Sequence, residues 1–239
     1  MCSSDLRGTV AGSTSTGDLD LRGLIERASP GSSRETADFL VDTAKARAAR
    51  AGETIFRQGE PMPLTIVLRG HGAFRRTTVD GQQLAVGIAG PGDLFGLSAI
   101  SSTNSPVDFV ALTESEVCLW KGPEIRRLAA RDPGFALDVI DRLAGFVHAM
   151  TENIDGFLHQ DARRRVIRVL LRYRDLFFGE PAVLSRAELP SLVGTSREMT
   201  GRVLRELERE GLVARVGRRG LRLLRPEDLE LDARVPRGS

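Results

Sequence analysis

Residues 185–207 read Ser185-Arg-Ala-Glu-Leu-Pro-Ser-Leu-Val-Gly-Thr-Ser-Arg-Glu-Met-Thr-Gly-Arg-Val-Leu-Arg-Glu-Leu207. Ser185 with Glu188 three residues on is a capping box, and Leu189, Leu192 and Val193 give the short helix after it an apolar face. Pro190 lies in that segment and removes a backbone donor, so the helix is expected to start or bend there. Gly194 supplies a tight turn, and Thr195-Ser196-Arg197-Glu198 opens a second helix with Met199, Val203 and Leu207 turned inward. Helix, glycine turn and helix make the helix-turn-helix pattern. Arg197, Glu198, Arg202 and Arg205 are left on the outer surface near the N-terminal end of the second helix, the end that enters a DNA major groove. Arginine donates two hydrogen bonds to O6 and N7 of guanine, and glutamate accepts from N4 of cytosine. Glu198 and Arg202, four apart, can hold each other's geometry.

Charge and composition agree with that reading. The 239 residues carry a net charge of +2, yet residues 161–239 hold 18 Arg against 12 acidic residues, a net of +6 that leaves −4 on residues 1–160. Lysine occurs only at Lys45 and Lys121, so nearly all positive charge is the planar fork of arginine, suited to phosphates and guanine edges. Downstream, runs at 212–216 and 221–224 flank Gly217-Arg218-Arg219-Gly220, a hairpin whose basic tip suits backbone phosphates. At 41% apolar and 28% charged, the chain has a globular composition. No run approaches 18 consecutive apolar residues and residues 1–18 lack an apolar segment of signal-peptide length, so neither a membrane-spanning nor a secreted protein is expected. Two cysteines, Cys2 and Cys118, are too few for a disulfide framework or a four-cysteine metal site, which points to a reducing, cytoplasmic compartment.

Working towards the N-terminus, Asp161 precedes an apolar helix through Val166, Ile167, Leu170 and Leu171, followed by a loop around Gly179-Glu180-Pro181. Asp132-Pro133 opens a longer helix, in which Ala136, Val139, Leu143, Phe146, Met150, Asn153 and Phe157 recur at three- and four-residue steps. Such a seam calls for a second copy of the chain, with Asn153 favouring one register. Between 52 and 120, short apolar runs at 55–56, 64–68, 73–74, 84–88 and 109–112 are punctuated by turns, Asp80-Gly81 among them, and predict an antiparallel barrel or jelly roll. Ser32 with Glu35 starts a helix with Phe39, Leu40 and Ala44 on its apolar face. The expected fold class is α+β: an N-terminal antiparallel β jelly roll, a long dimerisation helix and a C-terminal winged helix-turn-helix. The expected divisions are a disordered tail at 1–18, a sensor domain with flanking helices at 19–131, the dimerisation helix at 132–160, the DNA-binding domain at 161–231 and a tail at 232–239. The final Val235-Pro-Arg-Gly-Ser239 resembles a protease-site scar left by a tag.

Three segments, Gly52-Glu-Thr-Ile-Phe-Arg-Gln-Gly-Glu60, Gly90-Pro-Gly-Asp-Leu-Phe-Gly96 and Val193-Gly-Thr-Ser-Arg-Glu-Met-Thr-Gly-Arg202, resemble the Crp/Fnr superfamily of bacterial transcription regulators over about residues 35–230. The resemblance implies a cyclic-nucleotide-binding-type sensor, a homodimer, a winged helix-turn-helix on a palindrome in double-stranded DNA, and contact with RNA polymerase. Arg197, Glu198 and Arg202 match base-reading positions of the cyclic-AMP receptor branch, whose half-site is TGTGA-like. Ser185, Ser196 and the wing, with Arg218 and Arg219, match phosphate-contacting positions, and Arg186 and Arg205 are assigned to phosphates with them.

In that family a Glu takes the ribose of the cyclic nucleotide and an Arg-Ser pair takes its phosphate. Here Asp93 stands for the Glu and Ser105-Pro106 for the pair, and no arginine occurs between Arg76 and Arg126, so weak or absent cyclic-AMP binding is expected. The cassette looks closer to the oxygen-sensing Fnr branch, and Cys118 matches a cluster ligand there. With only Cys2 besides, no four-cysteine iron–sulfur cluster is expected, and a Cys2–Cys118 redox switch is the thiol alternative to an inert core cysteine. His71, His148 and His159 are the residues available to ligate haem, as in gas-sensing members. Another reading has a small molecule, such as a cyclic nucleotide in a non-standard pose, bound between barrel and long helix, with Asp93, Leu94, Ser105, Met150 and Thr151 as pocket residues. A cupin-like metalloenzyme needs several histidines on one metal, and the barrel holds only His71, so an enzyme is not expected.

Overall fold

The computed structural model describes residues 20–78, 83–159, 161–217 and 219–234. The expected tail, Cys2, the Asp80-Gly81 turn, Arg218, the side chains of Asn153, Phe157 and His159, and the scar-like end lie outside the described residues.

Eight strands among the described residues form two antiparallel sheets. They are β1 (Lys45–Ala49), β2 (Thr54–Phe56), β3 (Leu64–Arg69), β4 (Gly72–Thr77), β5 (Gln83–Ala89), β6 (Leu94–Phe95), β7 (Asp108–Ala111) and β8 (Ser115–Trp120). One sheet has the order β1-β8-β3-β6 and the other β2-β7-β4-β5, the crossing connectivity of a jelly roll. Strand β3 reads as an apolar run from Leu64 to Leu68, interrupted only by Thr65, because both of its faces are covered. Val67, with Val117 of β8, points between the sheets, where Phe56, Phe74, Phe95 and Phe109 pack with ring centroids 4.8–6.3 Å apart. Gly72 makes room for that cluster, since a Cβ there would lie 2.3 Å from the Phe109 ring. Leu64 and Ile66, with Cys118 and Trp120, point the other way into a layer of helices.

That layer holds α1 (Leu21–Ala28), α2 (Arg34–Thr43), α3 (Gly122–Arg131) and the start of α4 (Pro133–His159). Helix α2 is capped by Ser33, one residue later than expected, because the Ser32 hydroxyl donates to the carbonyl of Ser29 at 2.7 Å. Thr36, Ala37 and the expected Leu40 are buried, while Phe39 faces solvent. Asp132 receives the N–H of Phe135 at 3.1 Å and of Ser33 at 2.8 Å, while Asp138 receives Ser29 Oγ at 2.6 Å and the Gly31 N–H at 2.9 Å. The turn between α1 and α2 is thereby stapled to the first turns of α4. Their backbones approach so closely that a Cβ on Gly134 would lie 1.8 Å from the Gly31 carbonyl oxygen.

Helix α4 is apolar on two faces. Phe135, Val139 and Leu143 pack on the barrel, so the upper half of the expected seam belongs to the core of its own chain. Leu137, Ile140, Phe146, Val147 and Met150 form the outward stripe, with Val147 61% exposed.

The C-terminal part comprises α5 (Ala162–Arg172), α6 (Arg174–Phe178), α7 (Leu189–Val193), α8 (Arg197–Arg209), β9 (Val213–Val216), β10 (Gly220–Leu223) and α9 (Pro226–Arg234). Asp161 caps α5 by accepting from the Arg164 N–H at 2.8 Å. Val166, Ile167, Leu170, Phe177, Leu189, Val203, Leu207, Val213 and Leu229 share one core, on which Ile88 of β5 and Leu112 of the barrel also pack.

Candidate nucleic-acid interface

The second helix of the motif is α8, and its start follows from hydrogen-bond chemistry. Gly194 closes α7 at φ +67°, where a side chain would be strained. Ser196 then caps α8, its Oγ accepting from the Met199 N–H at 3.1 Å. Glu198 lies in the first turn, where a negative charge meets the positive end of the helix dipole. The inward stripe is Thr200, Val203, Leu204 and Leu207, and Met199 is 38% exposed instead of inward. Thr200 enters the core because its hydroxyl is satisfied locally, donating to the Ser196 carbonyl at 3.0 Å. Helix α7 starts at Leu189 with Pro190 in its first turn, where a missing N–H costs nothing, and the Ser185–Glu188 box forms the turn before it.

Arg197, Glu198, Arg202 and Arg205 are all exposed on the outer side of α8. Arg197, Glu198 and Arg205 have no hydrogen bond or ion pair among the described residues, which leaves their polar tips available. Arg202 does not pair with Glu198. Its Nε donates to Glu206 Oε1 at 3.2 Å, one turn further on. Sequence spacing could not separate the two glutamates, since each lies four residues from Arg202. Arg202, Arg205, Glu206, Glu208, Arg209 and Arg215 line an open groove of about 510 Å³ between α8 and β9, in which Arg215 pairs with Glu208 at 3.2 Å. Arg209 and Arg215 were missed at the sequence level, and only the placement of β9 beside α8 brings them together.

Of the phosphate-assigned residues, Arg186 and Arg219 lie at the wing formed by β9 and β10, which pair from Val213↔Leu223 to Val216↔Gly220, while Ser196 and Arg205 belong to α8 and its cap. Arg186 is strapped to the wing, its backbone N–H donating to the Arg219 carbonyl at 3.0 Å and its Nη2 to the Gly217 carbonyl at 3.4 Å. The Ser185 hydroxyl donates to Glu188. The Ser196 hydroxyl accepts at the α8 cap and keeps its own proton to donate. Arg219 is exposed.

A buried arginine fixes the far end of α8. Arg163 of α5 donates from Nη1 to Glu210 Oε1 at 3.1 Å and from Nε to Asp232 Oδ2 at 3.0 Å, tying together α5, the end of α8 and α9. Nothing in the sequence singles it out, since it is the first of three consecutive arginines.

The expected effector residues are placed differently. Asp93 accepts the Gly90 N–H at 2.8 Å, closing the Gly90–Asp93 turn. Leu94 packs towards the helix layer. Ser105 is buried, with its hydroxyl donated to the Val107 carbonyl at 2.6 Å. Met150 and Thr151 lie on the exposed part of α4, and no hydrogen bond or ion pair joins any two of these five among the described residues. Cys118 is buried beneath the helices, and burial, with Glu116 nearby, pushes its thiol above the ordinary range. His71 is half-buried against Gly90, and burial pushes its imidazole down while Asp93 opposes. His148 is exposed on α4. Among the described residues no three His, Cys, Asp or Glu side chains cluster as a metal site, and no helix is long and apolar enough to cross a membrane.

Two parts of the chain match known families. Residues 46–132 match the family described as cyclic nucleotide-binding domain, and residues 164–231 match the Crp-like helix-turn-helix domain. The cyclic AMP receptor protein of Thermus thermophilus is 30% identical over 181 residues, covering 75% of this chain and 84% of that protein. The cAMP-activated global transcriptional regulator Vfr of Pseudomonas aeruginosa is 28% identical, covering 74% and 88%. In fold, the chain resembles FixK2 from Bradyrhizobium japonicum with a TM-score of 0.67 at 23% identity, over 79% of this chain and 96% of that one. Matching sensor and reading domains, joined in the same order over most of the length of these relatives, place the chain in the Crp/Fnr superfamily of DNA-binding transcription regulators.

Proposed function

We propose that the protein acts as a homodimer that reads a palindromic, TGTGA-like site through Arg197, Glu198 and Arg202. The observation that carries this reading is the exposed row of these three side chains at the N-terminal end of α8, with the base-directed tips of Arg197 and Glu198 unpaired and the terminal nitrogens of Arg202 free. Ser185, Arg186, Ser196, Arg205, Arg218 and Arg219 hold the DNA backbone beside them. The outward stripe of α4 meets its copy and sets two reading helices about one turn of DNA apart. RNA polymerase is the further partner, as family resemblance implies, and the protein works as a cytoplasmic regulator and not as an enzyme.

Binding by the purified protein to a duplex carrying the palindrome, in competition with scrambled duplex, tests the reading. Arg197→Ala or Arg202→Ala is expected to cost roughly 1–3 kcal/mol of discrimination at one base position. Uniform affinity across randomised duplexes would overturn it.

The effector is proposed to be something other than cyclic AMP, because the cassette offers no arginine for a cyclic phosphate and its Ser105 hydroxyl is already donated within the chain. A cyclic-nucleotide-gated regulator is the second reading, favoured by relatives named for cyclic AMP. Titration with labelled cyclic AMP decides between them: saturable micromolar binding overturns the first.

A further inference from the structure

We propose that Glu206 is a positioning residue for base reading, holding the Arg202 guanidinium by one edge so that its end-on fork is presented to guanine. The proposal rests on the reading of Arg202 as a base contact. A guanidinium carries five N–H donors in a fixed plane. The Arg202–Glu206 bond is made through Nε, at 3.2 Å, and leaves the two terminal nitrogens free. Those nitrogens are the pair that meets O6 and N7 of guanine. Within the pair, the Arg202 side chain is 69% exposed and that of Glu206 27%, so the carboxylate is the fixed member and the arginine the one being steered.

Helix stability is a poor explanation for this contact. An arginine placed N-terminal to its glutamate is the weaker order for an i,i+4 pair, and exposed pairs add little to folding. Arg205 and Arg209 on the same helix show the alternative, since neither has a partner among the described residues. An unleashed arginine beside a duplex finds any phosphate, which raises affinity without regard to sequence. Holding Arg202 in one arrangement by the Nε–H hydrogen bond lowers the ordering cost of the base contact and keeps the fork from settling on the backbone.

The test compares full-length wild type with Glu206→Ala, Glu206→Gln and Arg202→Ala by fluorescence anisotropy. The duplexes carry the proposed half-site, the same site with each guanine replaced in turn, and random sequence. Glu206→Ala should lose about 3- to 10-fold in discrimination at the single guanine lost in Arg202→Ala, while random-sequence affinity holds or rises. Glu206→Gln removes the charge but keeps an oxygen that accepts from Nε–H, so it should stay within about twofold of wild type in discrimination. Equal behaviour of the two variants would show a charge effect only and overturn the proposal, as would a loss spread over every position. Intact guanine preference in Arg202→Ala would instead overturn the base-reading assignment. Matching melting temperatures across the set confirm that no variant has simply unfolded.

Discussion

Arg163 shows how much of the C-terminal part depends on one buried side chain. Only 9% of it is exposed, and its planar donor set is shared between two carboxylates from the ends of α8 and α9. Removing the cation takes a charged hydrogen-bond donor from Asp232, itself only 14% exposed, and from Glu210. Arg163→Met is therefore expected to destabilise the C-terminal part by about 3 kcal/mol, read as a lower melting temperature. A melt unchanged within error would mean that the bidentate geometry contributes nothing. This residue was not legible, because Arg163-Arg-Arg165 reads as surface charge and burial depends on elements almost fifty and seventy residues away. The exposed row at Arg197, Glu198 and Arg202 was legible, because helical period and cap placement suffice to turn them outward. Met199 was misplaced for a local reason: Thr200 can bury its hydroxyl against the Ser196 carbonyl, a contact that hydrophobicity alone does not register.

Among the elements, α4 was the easiest to find and the hardest to orient. Its apolar residues serve two faces at once, and a three-four scan merges the barrel-facing Val139 and Leu143 with the outward Phe146 and Met150. The outward set predicts that Val147→Glu shifts the monomer–dimer balance by more than about a hundredfold towards monomer, measured by sedimentation, as expected for charge buried in an interface. An unaltered dimer would move the contact elsewhere. Strand β1 escaped notice because Lys45-Ala-Arg-Ala-Ala49 carries no β signal, and it exists through its pairing with β8. At the start of α4, desolvation opposes the charge of Asp132, yet hydrogen bonds from Thr36, from the Ser33 and Phe135 N–H groups and from the Ser33 hydroxyl outweigh it and hold the carboxyl well below the usual aspartate range. A folded-state pKa below the unfolded value of about 3.9 means that the carboxylate stabilises the fold above that pH, a contribution lost as pH falls further. Asp132→Asn should cost about 1–2 kcal/mol near neutral pH. The gap in melting temperature to wild type should narrow below about pH 4. A gap that stays constant down to acid pH would remove the carboxylate from the account.

For the whole molecule, the split between an acidic first part and a basic last part was visible in the sequence, whereas its geometric consequence was not. Ile88 and Leu112 of the barrel pack on the core beneath α8, so the acidic sensor and the basic reading head are in direct apolar contact. On the proposed reading, negative charge held behind the head would repel phosphates beyond the groove-facing side and confine attraction to α8, the wing and the turn before α7. Backbone contacts made there release counterions, each contributing about 0.9 to the slope of log affinity against log salt. Arg219 sits at the wing with its carbonyl holding Arg186, so truncating its side chain removes a cation while leaving that backbone bond in place. In a dimer the change occurs twice, and Arg219→Ala should lower the salt slope by about 2 with the ranking of duplex sequences unchanged. A slope that keeps its wild-type value would place the wing away from the backbone, and a changed ranking would make Arg219 a reader of bases and not of phosphates.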